Sequence, residues 1–399
     1  MFYNTKDLNK YIEDLTYLVA IDSPTNYVDG IRQVAQFLAE KVAHLPVKVS
    51  FIEGQKDSGP CLLITNAEAN EDFDILLLAH MDTVYPIGTA DNRRLRIEGN
   101  KVYGPGVIDD KGCALMGIYA LNYLRLDTFK FAYFLNSNEE VGSPGNADLI
   151  KELATRAKYC FTLEAAREDG SLVDKRYGYI NYKIHFKGIP ATMKNFKEGS
   201  SALLQCANFI KQVDILNSHY KGSLVNCVIL EGGLPNLAMV PDHIVLGLQM
   251  RFLDKDSLTL LQSKIEAFKE SLTAGKVELT AEIVGFFPAL VLNANSKMMK
   301  RHLEFVGRNL GIEIKWQASH GGSDGCFASD VGCAVIDGMG PIGGAFHTEN
   351  EYLDLNSVEP RCNLLIEIIN KLVKIKTLPS VIPVLPYRQE YNKENKNGQ

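Results

Sequence analysis

No run of apolar residues in this 399-residue sequence approaches the roughly 18–20 needed to cross a bilayer, so no membrane span is expected. The first residues lack a basic segment followed by an apolar run, which argues against a secretory signal. The eight cysteines are scattered singly and never in CxxC spacing. Without an export signal they are expected to be reduced and mostly buried. No tract of clustered Lys or Arg occurs and the formal net charge is −6, which excludes the usual electrostatic footprint of a nucleic-acid binder. Internal repeats are also lacking. These absences point to a cytoplasmic globular protein with no nucleic-acid and no membrane partner.

What is present is an ordinary globular composition, 46% hydrophobic and 23% charged. The length suits two domains, or one large domain carrying an insertion. Apolar residues at helical spacing predict helices over 8–19 and 31–45, separated by the chain break Asp22-Ser23-Pro24. Short apolar runs at 47–52, 61–65, 75–79 and 129–135 read as strands, with a helix over about 111–124 between the last two. Strands alternating with helices, several of them apolar throughout, predict an α/β sheet covered on both faces.

Residues 176–287 have a different texture. The segment 177–186 alternates like a half-exposed strand, and strand-like runs at 224–230, 244–252 and 277–284 combine with helical patterns at 200–213 and 257–272. That βαββαβ order predicts an inserted α+β, ferredoxin-like sandwich. The remaining domain then consists of 1–175 and 288–376, with a helix over 296–310, a short buried strand at 334–337 and a closing helix over 355–373. The tail, 377–399, is Pro-rich and then polar, and a loosely ordered segment is expected.

Chemistry gathers at the strand ends. The run 75–79 leads directly into His80-Met81-Asp82, 129–135 into Asn136-Ser137-Asn138-Glu139-Glu140, and 158–163 into Glu164. Ligands of open α/β sheets collect at the carboxyl ends of strands, so these side chains are expected around one crevice. A glycine-rich loop, Gly104-Pro105-Gly106-Val107-Ile108-Asp109-Asp110, delivers two more carboxylates before a helix, and Gly343-Gly344-Ala345-Phe346-His347 delivers a second imidazole. Taken singly, each piece admits a plainer role: a hydrogen-bonded structural histidine, a solvated Glu-Glu turn, a helix N-cap. Together, two imidazoles and several carboxylates without a thiolate suit Zn²⁺, or Co²⁺ or Mn²⁺, in an open and therefore catalytic site. Apolar strands feeding into unpaired carboxylates would otherwise carry a desolvation penalty.

At these residues the sequence resembles the dinuclear zinc amidohydrolases that include glutamate carboxypeptidases, aminoacylases, acetylornithine deacetylases and succinyl-diaminopimelate desuccinylases. The resemblance runs in order from about residue 10 to 375, most specifically through His80-Met81-Asp82-Thr83-Val84, 103–112, 138–142, Leu163-Glu164, and His347 with Glu351-Tyr352. It implies a mixed-sheet, zinc-exopeptidase-type catalytic domain whose inserted domain is a lid that often mediates homodimerisation. It implies two zinc ions, with His80 and His347 one on each, Asp109 bridging, and Glu140 and Glu164 completing the set. Asp82 is then the carboxylate that orients His80. Glu139 becomes the general base that takes a proton from the metal-bridging water and passes it to the leaving amine. Asn236 and Arg251 resemble lid residues that hold the substrate's carboxylate, and Gly322 and Ser323 belong to a loop resembling a further substrate loop. A strand arginine in a surface ion pair is the plainer alternative for Arg251.

One departure stands out. Members usually carry a lid histidine a few residues beyond Lys-Gly, which steadies the developing oxyanion, whereas Thr192 stands in its place here. Losing one such donor typically lowers the rate by about 10²–10³. Lys194, His185 and His320 are candidate substitutes. Two principal readings follow. One is an active metallo-amidohydrolase acting on a small peptide or N-acyl amino acid with a free carboxylate. The other is a metal-loaded binding or regulatory homologue with little turnover. A hydrolase of another bond type shares the same metals.

Overall fold

The computed structural model describes residues 5–54, 58–219, 223–234, 236–272 and 276–375. The tail over 377–399 lies outside them, as does Pro235 beside Asn236. A six-stranded sheet forms the centre, in the order Lys48–Ile52, Cys61–Thr65, Phe131–Asn136, Phe73–His80, Ala157–Thr162, Ala334–Ile336. Its first three strands pair antiparallel and the rest parallel, so the sheet is mixed.

Period-two alternation sends the side chains of the central strand into two cores. Ile75, Leu77 and Ala79 join one apolar cluster with Tyr11, Leu15 and Leu18 of the helix Thr5–Val19, Leu364 and Leu365 of Leu355–Leu372, and the helix Lys111–Leu121. Leu76 and Leu78 join the opposite cluster, with Ile150 and Leu153 of Asn146–Thr155 and Phe327 of Asp324–Asp330. All eleven residues of Lys111–Leu121 are buried, as the apolar run after Lys111 requires, and the Lys111 ammonium donates to the Ile21 carbonyl at 2.5 Å. The second predicted helix is shorter than expected, Val28–Glu40 rather than 31–45, because the chain turns at Lys41 and Val42.

The second sheet has four strands in the order Leu224–Gly232, His243–Phe252, Gly178–Lys187, Glu278–Phe287, all antiparallel. With helices Ala202–His219 and Lys255–Leu272 it follows the βαββαβ order of a ferredoxin-like sandwich. Ile180, Tyr182, Ile184 and Phe186 face the helices and form a core of their own with Phe209, Leu261 and Phe268. Tyr179, Asn181, Lys183 and His185 stand on the uncovered face. Arg251 pairs with Tyr179 across the ladder and shares that face. Several short elements have no sequence signal of their own. Among them are the strands Arg96–Glu98, Lys101–Tyr103 and Tyr352–Asp354, and the parallel pair Leu172–Arg176 and Trp316–Ser319.

Candidate metal centre and active site

Three buried strands end at one crevice. His80 lies opposite Asn136 in the parallel pairing of Phe73–His80 with Phe131–Asn136, and Ala157–Thr162 pairs on the other flank of Phe73–His80. The chain therefore crosses from one side of this strand to the other, the switch point at which open α/β sheets bind ligands.

His80 is 1% exposed. Its Nδ1 lies 3.0 Å from the Asp82 carbonyl oxygen and 3.3 Å from Asp82 Oδ1. An N–H at Nδ1 donating there leaves Nε2 as the open lone pair. That Nε2 is 3.1 Å from Asp109 Oδ1 and 3.9 Å from Glu164 Oε1. On the other side, His347 Nε2 is 3.0 Å from Asp109 Oδ2 and 3.3 Å from Glu140 Oε2. Asp109 thus turns one oxygen toward each imidazole. Zinc bonds of about 2.0–2.2 Å set ligand atoms roughly 3.4 Å apart around a tetrahedral ion. The 3.0–3.3 Å separations of Asp109 from both imidazoles and of His347 from Glu140 are close to that, and the 3.9 Å from His80 to Glu164 is wider. Ligand atoms of His80, Asp109 and Glu140 all lie within 4.8 Å of one another. Glu140 Oε1 is buried with no hydrogen-bond partner, an acceptor that a cation would satisfy. The donor set, nitrogen and carboxylate oxygen without thiolate, fits two divalent cations of the zinc, cobalt or manganese kind.

Local backbone chemistry holds these donors. Gly106 has φ +68° and brings its backbone so close to Thr83 that an added Cβ would sit 2.6 Å from the Thr83 methyl. Glu351, fully buried, accepts from Gly106 N–H (3.1 Å) and Tyr85 O–H (2.6 Å) at one oxygen, and from Ile108 and Asp109 N–H (3.0 and 3.1 Å) at the other. The carboxylate of Asp82 accepts from the N–H groups of Glu139 and Glu140, each at 3.1 Å, and from Thr25 O–H at 2.7 Å. Asp82 therefore holds the Glu139–Val141 turn as well as the His80 ring. Behind that turn, Asn136 donates to Asp324 (2.8 Å) and Ser143 (2.9 Å) and accepts from Asn146 (2.8 Å), a buried network with its partners made. His347 and Ala345 sit at φ +60° and +55°, left-handed conformations that non-glycine residues rarely adopt and that concentrate at functional sites.

The crowding of carboxylates shifts their protonation. Burial pushes Glu139 well above the ordinary carboxylate range; His80 opposes this, and the charges of Glu164, Asp324 and Glu140 add to it. Burial likewise brings Glu164 up to about 7 against the pull of Arg176 and His80, and raises Glu140. Burial works against the charged form of His80, but its hydrogen bonds with Asp109 and Asp82 outweigh that and raise it well above its usual value. Hydrogen bonds with Asp109 and then Glu140 push His347 up to about 10.

The five expected ligands, His80, Asp109, Glu140, Glu164 and His347, come together, with Glu139 and Asp82 beside them. The expected substrate residues do not join them as a group. A cavity of about 290 Å³ opens on the cluster, lined by Glu139, Glu164, Arg167, Arg176, Tyr179, Phe287, Gly322 and His347 among others. Gly322 is on its wall, but its carbonyl accepts from Arg176 at 2.8 Å. Ser323 is fully buried and its hydroxyl donates to Asp337. Arg251 donates to the His320 carbonyl, and exposed Asn236 accepts from its own loop at Ala238 N–H, 2.9 Å. Thr192 is exposed and pairs with Met239. Of the candidate substitutes for the lid histidine, Lys194 is exposed, His185 stacks on His243 across the lid sheet, and His320 stacks on Tyr177. None of the three lines the cavity.

Two features escape sequence reasoning. Arg176, 3% exposed, makes a bidentate pair with Asp337 at 2.7 Å on each arm and lies 3.8 Å from Glu164. An aspartate closing the short apolar run at 334–337 was the available signal. Glu351 was visible only as part of a motif, with nothing to mark its place beneath the Asp109 loop.

The profile of peptidase family M20/M25/M40 matches residues 76–371. Carboxypeptidase G2 of Pseudomonas sp. (strain RS-16) is 25% identical over 377 residues, covering 90% of this chain and 89% of that protein. Succinyl-diaminopimelate desuccinylase of Herminiimonas arsenicoxydans is 21% identical over 66% of this chain and 73% of its own length. Among solved structures, an aminopeptidase of Bacillus cereus superposes with a TM-score of 0.75 at 20% identity, over 92% of this chain and 99% of that one. A tripeptidase of Staphylococcus aureus does so with a TM-score of 0.70 at 23% identity, over 92% and 98%. No helix among the described residues is long and apolar enough to cross a membrane. The chain belongs to peptidase family M20/M25/M40 and is a hydrolytic enzyme of that family.

Proposed function

We propose that the enzyme hydrolyses the amide bond of a small peptide or N-acyl amino acid carrying a free carboxylate, with two Zn²⁺ ions, or Co²⁺ or Mn²⁺, as cofactors. The observation that carries this reading is Asp109 set between His80 and His347, one carboxylate oxygen toward each. His80, Glu164 and Asp109 would hold one cation, and His347, Glu140 and Asp109 the other. Cations bound there would polarise the amide carbonyl and bring the pKa of water toward neutrality. Glu139, on the cavity wall beside Glu140, takes the proton of the attacking water and hands it to the leaving amine. Asp82 keeps Glu139 and the His80 ring in place through the hydrogen bonds already described. Tyr179 and Phe287 close the wall and limit the entry of bulk water.

The division into 1–175 with 288–376 and an inserted lid of 176–287 belongs to the same proposal, supported by the separate apolar core of the second sheet. So does a homodimer through that insert. Its outer strand leaves Val228, Ile229 and Leu230 62%, 49% and 57% exposed, and its helix leaves Leu203 and Leu204 exposed as well. Asn236 and Arg251 then reach substrate only when the lid moves. A cytoplasmic location is supported by the eight unpaired cysteines, seven of them buried.

The test is hydrolysis of a panel of dipeptides and N-acyl amino acids by purified protein loaded with zinc, cobalt or manganese, with chelator as control. Chelator-sensitive release of a free amino acid is expected. Thr192 favours a second reading, a metal-loaded homologue with little turnover. Stoichiometric metal with no release across the panel would select it.

A further inference from the structure

Arg167 is placed where a substrate would meet it. It follows Glu164 by three residues and lines the same cavity as Glu164, Arg176 and His347. Its Nε is buried with no hydrogen-bond partner, and no carboxylate among the described residues lies within ion-pair distance of its guanidinium. The acids that act on its charge face other partners: Asp337 pairs with Arg176, Glu164 lies 3.8 Å from Arg176 and 3.9 Å from His80, and Asp109 sits between the two imidazoles. The guanidinium lies 5.8 Å from the ring centre of Phe346, next to His347, an aromatic face that steadies a cation without neutralising it. A half-buried guanidinium with unmade hydrogen bonds is costly unless an anion arrives to satisfy it. Its planar fork suits a carboxylate in two places.

We propose that Arg167 is the anchor for the substrate's free carboxylate on the catalytic-domain wall of the cavity, a role that rests on the amide-hydrolase reading above. Arg251 and Asn236 face other partners in this structure, whereas Arg167 reaches the cavity with its donors open. The carboxylate docked there sets the distance from charged end to scissile bond. The enzyme then favours substrates ending in a carboxylate over the same compounds ending in an amide.

The experiment compares the N-acetyl amino acid turned over fastest with its C-terminal amide, or N-acetylalanine with N-acetylalaninamide if none is turned over. Wild type, R167M and R167K are measured by steady-state kinetics and by calorimetric binding. R167M is expected to weaken the acid about 10- to 100-fold, chiefly in KM or Kd, and to leave the amide nearly unchanged. R167K, keeping the charge without the fork, should recover part of the preference and shows that the site tolerates substitution. Equal loss on acid and amide in R167M, or a wild type that binds the two alike or not at all, would overturn the assignment. Failed hydrolysis with retained preference in binding would count against the hydrolase and leave Arg167 supported.

Discussion

Glu351 holds Asp109 from beneath: one buried carboxylate oxygen accepts the N–H groups of both Ile108 and Asp109. The residue that faces the two imidazoles is therefore positioned by an acid 242 residues away in sequence. Replacing Glu351 by Gln leaves one acceptor oxygen where two are used, so the N–H₂ group must face either the Ile108 and Asp109 N–H groups or the Gly106 N–H and the Tyr85 hydroxyl. We predict that E351Q lowers metal affinity about 10- to 100-fold and reduces the thermal midpoint of the metal-free protein. Titration with a metal indicator checks the first and calorimetry the second. Wild-type affinity in E351Q would mean that the loop is held by other means.

Arg176 and Asp337 form a buried pair whose charges compensate each other next to Glu164. Removing one partner leaves the other charge buried, at a cost of about 3–5 kcal/mol. R176M is therefore expected to unfold several degrees below wild type. It should also loosen the Gly321–Gly322 loop, whose carbonyls accept from the same guanidinium. A midpoint within one degree of wild type would contradict this.

Asp330 ties the two sheets' helices together, accepting Lys151 at 3.1 Å and Lys255 of the lid helix at 2.9 Å. Burial raises its carboxyl, but Lys255 and Lys151 outweigh burial and hold it below the model-compound value of 3.8. A depressed folded-state pKa stabilises above the unfolded pKa, and that contribution is lost as pH falls through the lower, folded value. D330N should thus be less stable than wild type by about 0.5–1 kcal/mol at pH 7, discounted for the exposed lysine. The gap should begin to narrow below about pH 4 and close only as pH falls past the lower, folded value. Denaturation at pH 7 and pH 3 checks it, and an equal gap at both would contradict it.

The candidate cluster was legible because each of its residues ends an apolar strand or follows a glycine turn: His80, Glu140 and Glu164 after buried strands, Asp109 and His347 after Gly-rich loops. The inserted sandwich was legible because the strand Gly178–Lys187 alternates cleanly between its two faces. What escaped depends on partners far apart in sequence. Arg176 and Asp337 are separated by 161 residues, and neither carries a local pattern. Ser323 reads as part of a substrate loop, yet it is buried and its hydroxyl donates to Asp337. Arg96–Glu98 is a three-residue, fully exposed strand made by pairing with Lys101–Tyr103, and no periodicity marks it.

Thr192 is exposed on the second sheet's domain. If it occupies the place of the lid histidine, T192H should raise kcat, by up to about 10²-fold, since an oxyanion donor is worth that much. An unchanged kcat would place the missing donor elsewhere in the lid.

In the proposed reaction, two cations gathered by Asp109 activate the water and Glu139 moves its proton. Metal content and hydrolysis measured side by side in wild type and E139Q test it most directly. Two equivalents of metal per chain in both proteins are predicted, with release of free amino acid by wild type and a loss of about 10²–10⁴ in E139Q. Hydrolysis by E139Q at the wild-type rate, or a single equivalent of metal in the wild-type enzyme, would contradict it.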